Sequence, residues 1–320
     1  MIRAALWVAA ALGWSQAVAQ SPEDLNFWFE RMKSAAQGAS YSGTFVYQSD
    51  GHSETSNVVR IVDADGVRER LEVMDGSPRE VVRVNDEVRC YLPAERLVVI
   101  ERRAARRNFP TLFTGDLQNL KNYYTVRIGG IDRIAGLEAR QLTLDPKDPY
   151  RYGYRLWADV ASGLLLKVKT VDDNNNQLVE QFAFTRVELA PAASFQDVSS
   201  KQQVKSGDWR VESLDVPQPP VGDPVWRLRQ SIPGFVKISE SMRRLQGDGP
   251  EVRHIVFSDG LSAISLFIGP KRGSVRPGAV RQGAVHIYAR QMGQMSVTGL
   301  GEVPMLTVRK LVDALELQNP

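Results

Sequence analysis

Apolar residues recur at helical spacing near the N-terminus, at Leu25, Trp28, Phe29, Met32 and Ala36, the pattern of a helix that buries one face. Ser21-Pro22-Glu23-Asp24 precedes them and reads as a helix start: a hydroxyl cap at Ser21, a proline in the first turn, and acids near the positive end of the helix dipole. The period then changes from 3.6 to 2. Strands are predicted over residues 43–49, 57–62, 67–74, 79–84, 88–92 and 96–101. The segments between them carry Asp50-Gly51, Asp63-Ala64-Asp65-Gly66, Asp75-Gly76 and Asn85-Asp86, turn chemistry that joins neighbouring antiparallel strands. Val67, Leu71 and Val73 alternate with Arg68, Arg70 and Glu72; Val59 and Ile61 flank Arg60; Val88, Cys90 and Leu92 alternate with Arg89 and Tyr91. One apolar and one charged face are therefore expected, as in a sheet wrapped round helices or round a cavity.

Residues 101–124 interrupt this pattern with the basic run Glu101 to Arg107 and a short helical stretch. Strands resume over 124–128, 139–144, 152–158, 164–171 and 177–189, the last two flanking a hairpin turn at Asp172-Asp173-Asn174-Asn175-Asn176. Prolines at 191, 217, 219 and 220 bracket a polar stretch in which central strands are disfavoured. The first domain is expected over 20–196, a linker over 197–221 and a second domain over 222–320. In the second domain, strands are predicted over 225–228, 236–243, 251–258, 263–268, 284–292 and 294–300. Val303-Pro304 then opens a final helix with Val308, Leu311, Val312 and Leu315 on one face. The fold class is α+β, mostly antiparallel β.

The first 19 residues read as a cleavable export signal. Arg3 supplies the positive start, Ala4 to Gly13 the apolar stretch, and Ala17-Val18-Ala19 the small-x-small site before Gln20. The apolar run is short of the ~20 residues that span a bilayer, so an exported soluble chain is expected, periplasmic in a bacterium. The single cysteine of the 320 residues, Cys90, excludes an internal disulfide and reads as a packed thiol. The three histidines, His52, His254 and His286, have no metal-ligand spacing. No nucleophile-elbow, phosphate-loop or dinucleotide motif is present. Asp145 and Asp148 fall in Asp-Pro-Lys-Asp-Pro, a turn signature. No catalytic residue, metal or cofactor is expected.

Two features remain. Residues 221–320 carry 13 Lys and Arg against 8 Asp and Glu. Lys271, Arg272, Arg276, Arg281 and Arg290 follow one another with no acid between them. Such a set attracts an acidic partner or lipid phosphates, or is a solvated basic face; export disfavours nucleic acid. On the first domain, Phe45, Tyr47, Leu71 and Val73 are the candidates for lining an acyl cavity. The alternative is an ordinary core closed by the first helix.

Several segments resemble a known family. Pro22 to Met32 followed by Tyr41-Ser42-Gly43-Thr44-Phe45-Val46-Tyr47 resembles the mature start of the MucB/RseB regulators of envelope stress. Trp226 with Ile232-Pro233-Gly234-Phe235 resembles the entry to their C-terminal domain. Phe257 to Ile268, with Ser258-Asp259-Gly260-Leu261, is similar to one of their strand pairs. Gly299-Leu300-Gly301-Glu302-Val303-Pro304 is similar to the opening of their last helix, although Met305 stands where a small residue or proline is expected. The resemblance implies a first domain similar to LolA-type lipoprotein carriers, an open half-barrel closed by helices. It implies a second domain that helps grip the periplasmic segment of an RseA/MucA-type membrane anti-sigma factor. Binding would shield that segment from the site-1 protease, and lipid or lipopolysaccharide would loosen the complex. A homo-oligomer is compatible with this picture. Competing readings are a lipoprotein carrier built on the same first domain and a hydrolase with no recognisable motif.

Overall fold

The computed structural model describes residues 24–102, 117–172, 177–193, 195–202, 208–214, 218–219, 226–244, 249–271 and 277–317. The export signal, the predicted Ser21 cap, residues 103–107 of the basic run, the 173–176 turn, Arg272 and Arg276 lie outside the described residues.

Helix α1 (Leu25–Gly38) starts at Asp24, whose carboxylate accepts from the Asn26 N–H at 2.8 Å. The cap is thus the acid and not the serine three residues earlier, because Asp24 has the extended backbone that aims its side chain at the first turn. Trp28, Phe29, Met32 and Ala35 are its buried face.

The sheet elements of the first domain are β1 (Tyr41–Ser49), β2 (His52–Asp63), β3 (Gly66–Val73), β4 (Arg79–Val84), β5 (Glu87–Leu92) and β6 (Leu97–Arg102). After α2 (Leu117–Tyr123) come β7 (Tyr124–Ile134), β8 (Leu137–Pro146), β9 (Gly153–Asp159), β10 (Leu165–Asp172) and β11 (Gln177–Leu189). Together with β12 (Arg210–Ser213) they form one open sheet in the order β12-β6-β5-β4-β3-β2-β1-β11-β10-β9-β8-β7. The chain folds it as two meanders joined by the long β1–β11 pairing. Asp50 and Gly51 both have positive φ, which matches the turn to the right-handed twist of β1 and β2. Strand β12 comes from the proline-bracketed stretch and adds to the edge of the sheet, parallel to β6.

The second domain contains β13 (Trp226–Leu228), β14 (Val236–Arg244), β15 (Glu251–Ser258), β16 (Ala263–Pro270), β17 (Gly278–Gln282), β18 (Val285–Met292) and β19 (Met295–Gly301). Helix α3 (Met305–Ala314) and β20 (Leu315–Leu317) complete it. The sheet order is β14-β15-β16-β19-β18-β17, with β13 and β20 paired separately. Val308, Leu311, Val312 and Leu315 are buried against Ile264, Leu266 and Val297, so the predicted apolar stripe of α3 faces the sheet. Met305 begins the helix without disturbing it, Pro304 supplying its extended cap position.

The large sheet, its helix, and the smaller sheet with a C-terminal helix give the α+β, mostly antiparallel organisation that the hydrophobic pattern predicts. In two strands the buried side is not the one that the apolar residues mark. In β2 the buried residues are Ser56, Val58 and Arg60, not Val59 and Ile61. In β5 the buried residue is Tyr91, which packs with Val82 and Val98, while Cys90 is half-buried. Burial still alternates along β2, but the buried side is the one that carries Arg60, whose charge is paired with Glu69, so the apolar residues do not mark it.

Candidate functional site

Pairing register places Phe45, Tyr47, Leu71 and Val73 on one face, because Phe45 and Val73 both stand opposite Ser56 and Leu71 stands opposite Val58. Their surroundings differ along it. Phe45 is buried between Phe182 and Phe184, with ring centroids 5.0 and 6.1 Å away. Val73 is buried, and Leu71 packs against the same core as α1. Tyr47 is exposed at the end of the row, its hydroxyl 2.5 Å from Glu180 Oε2. Partial desolvation of its hydroxyl and the neighbouring Glu180 carboxylate push the Tyr47 pKa well above its ordinary value, which keeps it a neutral donor.

Tyr47 opens onto a cleft of about 690 Å3. The β1–β2 turn, Asp75 to Arg79 and Leu92 to Glu95 form one wall, and residues 282–285 of the second domain form the other. Its lining is more apolar than polar, with a few held charges set into it. Glu54 pairs with Arg79 at 3.1 Å, and Asp75 accepts from the Thr55 N–H at 2.7 Å, which lowers its carboxyl pKa. Arg281 reaches across to Asp50 at 3.6 Å.

The described members of the basic set do not gather at one point. Lys271 is exposed at the end of β16 beside the β18–β19 turn. Arg290 is half-buried, donates to the Leu315 carbonyl at 2.6 Å and lies 3.8 Å from Asp313. Arg281 is on β17, by register opposite His286 of β18. Among the described residues no group of three or more His, Cys, Asp or Glu is clustered in metal-binding fashion. No described helix is long and apolar enough to cross a membrane.

Sequence reading missed the polar residues that join the two domains. Arg151 and Asp259 are both fully buried and 3.1 Å apart. Arg151 also donates to Asp148 Oδ1 at 3.0 Å and to the Pro233 carbonyl at 2.5 Å. Tyr124 donates to Asp259 at 3.1 Å, and the Tyr154 hydroxyl lies 2.8 Å from Ser262 Oγ. Burial raises the pKa of both tyrosines, so each stays a protonated donor. At the start of α3, Thr307 donates to the Tyr150 carbonyl and Lys310 to the Tyr150 hydroxyl, at 2.7 and 2.6 Å. No pattern signals these contacts: Tyr150-Arg151-Tyr152 is a short run in a loop, and its partners lie more than 80 residues away.

Residues 24–205 match the MucB/RseB N-terminal domain and residues 221–316 the MucB/RseB C-terminal domain. The sigma factor AlgU regulatory protein MucB of Pseudomonas aeruginosa is 32% identical over 301 residues, covering 90% of this chain and 89% of that protein. The sigma-E factor regulatory protein RseB of Escherichia coli is 25% identical over 248 residues, 77% of this chain and 76% of that one. Among solved structures, MucB in complex with MucA(peri) superposes with a TM-score of 0.70 at 27% identity, over 93% of this chain and 100% of that chain. MucB alone gives a TM-score of 0.64 at 27% identity, over 92% and 98%. Both halves match in order and over nearly all of their length, and the chain belongs to the MucB/RseB family.

Proposed function

We propose that this protein is a periplasmic regulator that holds the periplasmic segment of an RseA/MucA-type membrane anti-sigma factor and protects it from regulated proteolysis. Lipid or lipopolysaccharide binding releases that segment. The chain reaches the periplasm through the export signal at residues 1–19. The observation that carries this reading is the likeness, over 93% of the chain, to MucB solved together with MucA(peri). The family is one of regulatory proteins by the names of its members, and the mechanism is accordingly binding and release, with no bond made or broken.

Two parts of the molecule suit the two ligands. The cleft between the domains offers a largely apolar lining with a few charged side chains to an extended polypeptide. The aromatic row from Phe45 to Tyr47 leads from that cleft into the larger core, and is the entry proposed for an acyl chain. Lys271, Arg272, Arg276, Arg281 and Arg290 are proposed to draw acidic partner segments or lipid phosphates toward the second domain. For a ligand to release a partner, the two must prefer different arrangements of the domains, since only differential affinity shifts such an equilibrium.

The test is a protease-protection assay with the mature chain, the anti-sigma segment and the site-1 protease. Cleavage should be slow with the protein present and recover when lipopolysaccharide is added. Equal cleavage rates with and without the protein would reject the proposal.

A further inference from the structure

We infer that the junction around Arg151 is a latch that fixes the orientation of the two domains, and that the chain grips its partner while this latch is closed. The inference rests on the partner-holding reading above and adds the residues that control it.

Asp259 sits in the turn between β15 and β16. Its Oδ1 accepts from the N–H groups of Leu261 and Ser262 at 3.0 and 2.8 Å, within its own domain. Its Oδ2 faces the first domain and takes the Tyr124 hydroxyl and Arg151 Nη1, both at 3.1 Å. One carboxylate therefore ties a turn of the second domain to the rim of the large sheet. Arg151 works in the opposite direction: Nε stays with Asp148 of its own domain, while Nη2 crosses to the Pro233 carbonyl. Its guanidinium also lies 4.6 Å from the Tyr123 ring centroid and 5.2 Å from that of Phe235. Gly234 has φ +84°, and a Cβ there would stand 2.8 Å from the Tyr123 ring. The surfaces consequently meet in one close-fitting orientation.

Three segments that carry the family resemblance in the second domain converge here: Ile232-Pro233-Gly234-Phe235, the turn at Asp259, and the start of α3. The last contributes Thr307 to the Tyr150 carbonyl, and Val303 holds His286 Nδ1 at 2.8 Å beside the Tyr152 hydroxyl. A buried ion pair gains little net stability, because desolvation offsets much of the attraction, yet it strongly penalises geometries that leave either charge unpaired. Such a junction specifies an orientation without making it irreversible. The same domains face each other across the cleft, where the bridging pair Arg281–Asp50 is solvent-exposed and weak. Loss of the latch frees the cleft walls to separate.

The structure also supplies an independent lock. A Cβ on Gly283 would lie 3.7 Å from the Ser49 Cβ across the cleft, within the range a disulfide spans. The experiment uses the mature chain with Cys90→Ala, Ser49→Cys and Gly283→Cys, reduced or oxidised, alone or with Asp259→Asn. Disulfide yield in a glutathione buffer reports cleft closure, and titration with a fluorescent anti-sigma periplasmic segment reports grip. We expect Asp259→Asn to lower disulfide yield and to weaken binding by the reduced protein about tenfold. Oxidation should restore binding to the level of the oxidised parent. If Asp259→Asn does not fold, Tyr124→Phe and Thr307→Val carry the same test with smaller losses. Unchanged disulfide yield would overturn the latch. Weakened binding that oxidation does not restore, or unchanged binding despite lower yield, would overturn its coupling to the partner. Failure of the reduced parent to bind would instead reject the partner reading, with the disulfide yield still judging the latch.

Discussion

Arg60 lies between Val59 and Ile61 in a run that alternation assigns outward, yet its side chain is buried. It is held by Glu69 on β3 at 3.1 Å and by the Ala36 carbonyl at the end of α1 at 2.9 Å. A guanidinium at a helix C-terminus meets carbonyls that lack partners and the negative end of the helix dipole. Burial drives the Glu69 carboxyl pKa upward, against the opposing pull of Arg60. Arg60→Met should therefore destabilise the protein by about 3–5 kcal/mol by stranding Glu69, whereas Arg60→Met with Glu69→Leu should recover most of that loss. Urea unfolding of the three proteins measures it. His254 gives a second residue-scale prediction. Its ring stacks on Phe267 at 4.4 Å with Nε2 3.0 Å from Ser265 Oγ, and burial, aided by Arg243, pushes its pKa down to about 4. The unfolded chain takes up this proton near pH 6.5, before the folded one does. Stability contributed by neutral His254 is thus present above that pH and lost as pH falls toward 4. His254→Phe should flatten the stability curve over that interval, as read by melting at stepped pH.

At the scale of elements, α3 was the most legible part of the chain. Its stripe has four apolar positions at helical spacing, and burial on β16, β18 and β19 follows directly. Leu311→Ala should destabilise the second domain by about 2–5 kcal/mol through the cavity it leaves. Gly299 lies beneath this helix, where a Cβ would stand 2.4 Å from Val312 Cγ2. Gly299→Ala should then cost about 1–3 kcal/mol by overpacking; thermal unfolding distinguishes both from the parent. The large sheet was legible as a meander, but not in which side of β2 and β5 is buried. The same difference sets the outcome of enlarging its aromatic row. Val73→Trp enlarges a buried side chain and should cost about 1–3 kcal/mol by overpacking. Tyr47→Trp, at the exposed end, should fold as the parent does and weaken acyl-chain binding, read with a fluorescent fatty acid.

For the whole molecule, charge matters through placement more than through total. Arg281 stands at the cleft facing Asp50, while Arg290 is committed to the end of α3. Arg281→Glu should leave unfolding unchanged within ~0.5 kcal/mol, because the pair is exposed. It should also weaken partner binding and flatten its salt dependence, measured by titration from low to physiological ionic strength.

Apart from the short strands β12, β17 and β20, local pattern alone determined the strands with their turns, the two amphipathic helices, the proline-bracketed stretch and the family motifs. Each of these depends on residues within a few positions of one another, and periodicity records them. Tertiary structure decided which charges are buried and what the motifs do. Arg60 meets Glu69 on the next strand and a helix end 24 residues away, and Arg151 meets Asp259 at a separation of 108 residues. A buried charge looks like a surface charge in a linear string, because its partner is chosen by the folding of distant segments onto one another. The junction of the two domains rests on contacts between residues far apart in the chain, and so it became visible only in three dimensions.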